Sequence, residues 1–213
     1  MSGSVLLVGA TGLVGGEILK LLNADPGWER VVVLARRRLV VPITTPTLEA
    51  HIVDFETLEL QPELFAVNTI ICALGTTIRQ AGSQDAFRKV DFEYPLTVAR
   101  LGLEAGATHL LLVSALGADS GSGVFYNRVK GELEEAIRTL GYPALTIVRP
   151  SLLLGDRDEF RLGERIASKL AWAVPRKFKP VPASAVAATL AREARSNRAG
   201  VRVIESAEIG QTG

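Results

Sequence analysis

Val5-Leu6-Leu7-Val8 runs without a polar side chain into Gly9-Ala10-Thr11-Gly12-Leu13-Val14-Gly15-Gly16. Four consecutive apolar residues suit a strand covered on both faces, and a helical pattern through Leu22 follows the glycines. A buried strand, a tight turn and a helix in that order commit the chain to an α/β fold, a doubly wound parallel sheet with helices on both sides. Gly9 and Gly12 let the backbone bend and approach a ligand, and Gly15 lets the helix pack closely on the sheet. Amides opening that helix have no internal acceptor, so they offer a seat to a pyrophosphate. The spacing is G-x-x-G-x-x-G, which glycines used only for packing would also produce.

The second strand pattern, Val31-Val32-Val33-Leu34, ends in Ala35-Arg36-Arg37-Arg38. An acidic side chain at this position would suit the ribose hydroxyls of NAD, whereas guanidinium groups suit a 2′-phosphate and point to NADPH. A solvated basic edge would look the same. A loop with Pro42 and Pro46 leads to a short strand, Glu49 to Val53, followed by Asp54-Phe55. Asp54 is placed either to accept a hydrogen bond from an adenine amine or to cap the turn from Glu56 to Leu64. Val67 to Leu74 reads as a fourth strand, and Leu74-Gly75-Thr76-Thr77 would let the backbone pass beneath a cofactor. From Ser83 to Gly106 one periodic pattern predicts a long helix bent at Pro95, with Asp91 near its apolar stripe, placed either as a polar contact on the cofactor side or as a capping or surface residue.

His109 to Val113 is a fifth strand ending at Ser114, and the Gly, Ser and Ala residues of 115–124 predict a mobile loop over a site. A helix from Phe125 to Leu140 and a strand from Ala144 to Val148 follow. Beyond Arg149-Pro150 the pattern predicts a charged turn at Asp156–Glu159 and an amphipathic helix Phe160–Val174 carrying Arg161, Arg165 and Lys169. A proline-broken basic connector to Pro182, a helix Ser184–Ala194 capped by Ser184 and a short strand Val201–Ile204 close it. Residues 151–213 read as a small substrate-side extension of a single domain spanning residues 1–213.

Composition narrows the function. With 24 basic and 23 acidic residues the formal charge is +1, so no overall field draws nucleic acid or an anionic membrane. One cysteine and two histidines argue against a disulfide framework and against a metal centre, and Cys72 in its apolar run reads as a small buried hydrophobe. The start Met1-Ser2-Gly3-Ser4 has no basic segment and the first apolar run is too short for a leader, so the expected location is cytoplasmic.

Tyr126 and Lys130 are four residues apart on the predicted helix and share a face. Ser114 ends the preceding strand, so the three converge at one sheet edge. An ammonium beside a phenol favours phenolate, lowering a pKa of ~10 and letting tyrosine exchange a proton with a carbonyl oxygen. Lys130 would also hold a ribose hydroxyl, and Ser114 would hydrogen-bond the reacting oxygen. An ordinary helix-surface pair gives the same spacing.

Gly9 to Gly15, Ser114 and Tyr126-Asn127-Arg128-Val129-Lys130 resemble the short-chain dehydrogenase/reductase superfamily in its extended or atypical branches. Leu74-Gly75-Thr76-Thr77, Val90-Asp91, Ser114 to Asp119, Lys130-Gly131-Glu132, Arg149-Pro150 to Leu154 and Asp156-Arg157 more narrowly resemble the oxidoreductase-like family of the human Tat-interacting protein. The resemblance implies an NADP-binding Rossmann fold with Gly9, Thr11, Gly12, Leu13 and Val14 at the pyrophosphate. It places Arg36 and Arg37 at the 2′-phosphate, Asp54 and Phe55 around adenine, Leu74, Gly75 and Thr76 beneath the cofactor, and Pro150 and Leu152 beside the nicotinamide. Ser114, Tyr126 and Lys130 would be the triad of a reductase acting on a small carbonyl, with Tyr126 and Lys130 also touching the cofactor. No Asn from Thr76 to Val113 fills the fourth position of the classical branch. Other roles for the same residues are an NADPH-dependent sensor with a protein partner, whose basic surface would be 161–179, and an epimerase acting on a nucleotide sugar. Helices beside Tyr126 leave room for a homodimer.

Overall fold

Val5 to Val8 lie wholly buried at the centre of β1 (Gly3–Val8), and the turn after it feeds α1 (Leu13–Ala24). The computed structural model describes residues 3–40, 42, 44–154, 175, 178–196 and 198–211. Within them follow β2 (Trp28–Ala35), β3 (Leu48–Ile52), β4 (Thr69–Cys72), α2 (Ile78–Ala81), α3 (Gln84–Arg88), α4 (Tyr94–Glu104) and β5 (His109–Val113). Next come α5 (Phe125–Thr139), β6 (Ala144–Arg149), β7 (Leu153–Leu154), β8 (Val181–Pro182), α6 (Ala183–Ala194) and β9 (Gly200–Glu205). The main sheet is parallel throughout, in the order β3-β2-β1-β4-β5-β6-β9, while β7 and β8 pair separately.

Strand alternation divides the core in two. Leu6, Val8, Val32, Leu34, Ile70, Cys72, Leu110 and Leu112 face α4 and α5. Val5, Leu7, Val31, Val33, Ile71 and Leu111 face α1 and α6. Each such side chain contributes about 1.5–3 kcal/mol by leaving water, which is why the strands read as continuous apolar runs. The chain leaves β1 for β2 on one side and returns to β4 on the other. The crevice at the C-terminal ends of β1 and β4 is therefore the switch point where open sheets take ligands.

Three expectations change. The long helix from Ser83 to Gly106 is interrupted by a π-helical turn, Lys89–Glu93, in which the Tyr94 amide bonds to the Lys89 carbonyl. Pro95 has no N–H to give the Asp91 carbonyl, so the ladder widens just before it. Ser184 is not a cap: α6 starts at Ala183 after Pro182, with no side-chain bond at its N-terminus. The tail, expected as a substrate-side extension, also builds part of the main sheet and of its helical cover. α6 packs against α1, and β9 extends the sheet beside β6 from Ala144↔Gly200 to Arg149↔Glu205. The expected turn at Asp156–Glu159, the helix Phe160–Val174 with Arg161, Arg165 and Lys169, and part of the basic connector lie outside the described residues.

Candidate active site

The turn after β1 is shaped by close backbone packing. Gly9 has φ +89°, and a Cβ there would lie 2.3 Å from the Ala73 carbonyl oxygen. A Cβ on Gly15 would lie 2.0 Å from the Gly9 carbonyl oxygen, so α1 can approach the turn only with glycine at that position. Gly12 precedes α1 without a side-chain cap, and no acidic residue stands in the first turn. The amides at this helix start are thus open to an anion, and the residues present fit a dinucleotide pyrophosphate. Thr11, Gly12 and Leu13 are exposed at this edge, while Val14 is buried in the core.

Arg36, Arg37 and Arg38 emerge exposed from the end of β2, and none forms an ion pair among the described residues. Three uncommitted guanidinium groups at this corner fit a phosphate. Asp54 is exposed and its Oδ1 accepts the Glu56 amide at 3.0 Å, so its side chain caps the turn. Phe55 is buried against the Tyr94 ring, with centroids 5.3 Å apart. The Tyr94 hydroxyl donates to Glu56. Burial first, then that carboxylate, pushes the Tyr94 phenol up to about 12.

At the far side of the crevice, Tyr126 and Lys130 share the inward face of α5. Phe87 packs its ring on Tyr126 at 5.6 Å, and the Tyr126 hydroxyl has no hydrogen-bond partner among the described residues. Lys130 is 3% exposed, and its Nζ lies 2.7 Å from Oδ1 of Asp91, which is wholly buried. The other carboxylate oxygen of Asp91 accepts the Thr76 amide at 2.8 Å. Gly75 sits directly above this pair, since a Cβ there would be 3.6 Å from Asp91 Oδ1 and 3.9 Å from Lys130 Nζ. Asp91 therefore joins the loop 74–77 to Lys130, a role its position near an apolar stripe did not disclose. Burial raises the Tyr126 phenol above its ordinary range; Lys130 pulls it down and Asp91 pushes it up. Burial is the strongest single influence on Lys130 and lowers it, but Asp91, joined by Tyr126 and Cys72, outweighs burial, so the ammonium titrates above the usual lysine range.

Ser114 belongs to a different network. Its hydroxyl donates to Glu134 Oε1 at 2.6 Å, and Arg149 grips the same carboxylate from Nε at 2.9 Å and Nη2 at 2.6 Å. Arg149 also reaches Glu205 at 3.0 Å. Glu134 lies four residues after Lys130, so the helical period put it on the same inward face, a signal the sequence reading left unused. Tyr126, Lys130 and the loop 74–77 come together, whereas the Ser114 hydrogen points to Glu134.

The loop expected to be mobile is tied down. Arg128 donates to the Ser122 carbonyl at 3.0 Å, and a Cβ on Gly131 would lie 2.2 Å from the Asp119–Ser120 backbone. Pro150 is buried and its carbonyl accepts the Leu116 amide at 2.8 Å, while Leu152 is exposed. Cys72 is the buried apolar filler expected, its thiol pushed up to about 11 by burial. Among the described residues no His, Cys, Asp and Glu cluster could hold a metal ion, and no helix is long and apolar enough to cross a membrane.

Residues 4–89 match the model of the semialdehyde dehydrogenase NAD-binding domain. The mitochondrial fmp52 protein of Emericella nidulans is 36% identical over 176 residues, covering 80% of this chain and 76% of its own. The mitochondrial FMP52 protein of Candida albicans is 33% identical over 199 residues, 86% of this chain and 84% of its own. The HTATIP2 protein of Rattus norvegicus is 36% identical over 174 residues, 81% and 72% respectively. Mitochondrial naming of the fungal proteins overturns the cytoplasmic expectation, which rested only on residues near Met1. Among solved structures, MoeE5 in complex with UDP-glucose and NAD superposes with a TM-score of 0.73 at 17% identity, over 94% of this chain and 75% of that one. The dTDP-4-dehydrorhamnose reductase of Bacillus anthracis in complex with NADP gives 0.68 at 15%, over 96% and 75%. At such identities the shared property is the Rossmann-like fold.

Proposed function

The chain belongs to the atypical short-chain dehydrogenase/reductase family of the FMP52 and HTATIP2 proteins, and on that premise we propose that it catalyses NAD(P)-dependent redox chemistry at a carbinol or carbonyl carbon. The observation that carries this reading is the inward face of α5, where the Tyr126 hydroxyl, without a hydrogen-bond partner among the described residues, lies beside the buried Lys130 at the switch point of the sheet. A bound nicotinamide dinucleotide supplies the hydride donor or acceptor. The Gly12 amide is spent on the Gly9 carbonyl at 3.0 Å, so the open amides of Leu13 and Val14 hold its pyrophosphate, and Arg36 and Arg37 favour the 2′-phosphorylated form. Asp54 and Phe55 border the adenine side, Leu74, Gly75 and Thr76 run beneath, and Pro150 and Leu152 flank the reactive ring. Tyr126 donates its phenol proton to the substrate oxygen in reduction and recovers it in oxidation. Lys130 steadies the phenolate and reaches a ribose hydroxyl. Ser114 orients the same oxygen once its hydroxyl turns from Glu134.

Two uses of such a site differ in what becomes of the hydride. A carbonyl reductase passes it to substrate and consumes NADPH, whereas an epimerase-like enzyme takes it from a nucleotide sugar and returns it to the same molecule. The second use draws support from the fold neighbour solved with UDP-glucose and NAD. Incubating the protein with NADPH and a panel of aldehydes, ketones and quinones tests the first by loss of reduced cofactor. Incubation with UDP-sugars and NAD tests the second by product analysis without net cofactor change. In either case Tyr126→Phe should lower turnover by about 10²–10⁴-fold. Cofactor binding with no turnover in either panel would leave the sensing role, in which NADPH fixes a surface for a protein partner.

A further inference from the structure

We propose that Asp91 is a positioning residue for Lys130: its buried carboxylate holds the Lys130 ammonium beneath the loop 74–77 and keeps it charged where burial alone would neutralise it. The proposal rests on the functional reading of Tyr126 and Lys130 given above. Lys130 is 3% exposed and Asp91 wholly buried, with Nζ and Oδ1 2.7 Å apart. An ammonium withdrawn from water this far is stable only beside a matching charge.

The groups that meet Lys130 come from every element around it. They are Asp91 from the π-helical turn, the Cys72 thiol from β4, and Tyr126 on α5 itself. A buried thiol and a protonated phenol carry no charge at neutral pH, so Asp91 is the anion that balances the ammonium. Glu134, one turn further along α5, is engaged by Ser114 and Arg149. Among the described residues Asp91 Oδ1 has no hydrogen-bonding partner of good geometry, so its hold on Lys130 is chiefly electrostatic, while Oδ2 is fixed by the Thr76 amide at 2.8 Å. The carboxylate is thus anchored on one oxygen and free to hold charge on the other. The π-helical turn before Pro95 is what carries Asp91 inward to this point.

Lysine Cε resonances of the full chain, labelled selectively and assigned with Lys130→Met, report the titration directly. In the native protein Lys130 should stay charged across the neutral range, and in Asp91→Asn its inflection should fall by about three pH units. An unchanged inflection in Asp91→Asn overturns the proposal. Affinity for NADPH supplies a second reading: Asp91→Asn should bind progressively worse as pH rises through the new inflection, whereas Asp91→Glu should restore a flat profile. A purely structural defect would weaken binding equally at every pH, and that result also counts against the proposal. If Asp91→Asn fails to fold, the double variant Asp91→Asn/Lys130→Met should fold, because it removes the uncompensated ammonium; failure of the double variant overturns the idea. Native protein that binds neither NAD nor NADP would sink the enzyme reading and leave the lysine titration standing as a separate result.

Discussion

Ser114 Oγ lies 2.6 Å from Glu134 Oε1 and donates its hydrogen to that buried carboxylate. A serine placed at a strand end for substrate contact alone would be spared this bond. Ser114→Ala is therefore expected to cost about 1.5–3 kcal/mol of folding stability, the usual worth of a hydrogen bond to a charged group. Urea unfolding of the two proteins checks it, and equal midpoints would show that the hydroxyl contributes nothing to the fold.

Glu134 is held more firmly still. Glu134→Gln leaves Arg149 with Glu205 alone, so the guanidinium, already partly solvated, keeps one partner and the loss stays below that of a fully orphaned buried charge. A destabilisation of about 2–4 kcal/mol is expected by thermal or urea unfolding. Arg149→Met, which leaves the buried Glu134 carboxylate only the Ser114 hydroxyl and Arg138 at 3.9 Å, should be the worse of the two.

Arg36 and Arg37 stand exposed at the end of β2. Replacing both by alanine removes two charge-assisted contacts to a 2′-phosphate and should weaken NADPH binding by about 100-fold, at roughly 1.5 kcal/mol per contact. NADH binding should be nearly unchanged. Parallel fluorescence titrations with the two reduced cofactors give the comparison, and an equal loss for both would assign the arginines to a solvated edge.

The placing of these residues shows where sequence reading succeeds. Val5–Val8 and the glycines after them specify β1 and its turn because both faces of the strand are buried and Gly15 abuts the Gly9 carbonyl, constraints that admit few residue types. The positions of Arg36, Tyr126 and Lys130 were legible for a different reason, each being tied to a strand end or a helical period. Asp91 was not. Its inward turn depends on a π-helical widening before Pro95, which a regular period of 3.6 cannot express, and its partners Thr76 and Lys130 are distant in sequence. Ser184 misled because a helix start chosen by β8 pairing and Pro182 overrode a good capping residue.

Tyr126 is held above its ordinary range, first by burial, with Lys130 opposing and Asp91 reinforcing the rise. The phenol therefore stays protonated through neutral pH. Reduction, which needs the phenol as donor, should be flat with pH until the alkaline range and then decline. Oxidation, which needs phenolate, should rise with pH over the same span. Rate profiles in both directions test this, and an inflection for oxidation well below pH ~7 would show that Lys130 dominates burial.

His109, 6% exposed at the start of β5, bonds through Nε2 to Thr146 Oγ1 at 3.0 Å. Burial lowers its pKa below 6.5, and Glu193 opposes this only partly. The unfolded chain consequently binds a proton at His109 before the folded protein does. Folding stability is fully present above pH 6.5 and falls as pH drops below it, because protonation then favours the unfolded state. Glu49, which Arg30 holds below its ordinary carboxylate range, acts only beneath pH 4.5, so the two windows are separate. Urea unfolding at intervals from pH 8 down to about 5 should show stability declining through the acidic half. His109→Gln, which can keep a hydrogen bond to Thr146 without titrating, should flatten that limb. A native profile level across this range would mean that the imidazole accepts its proton without cost inside the fold.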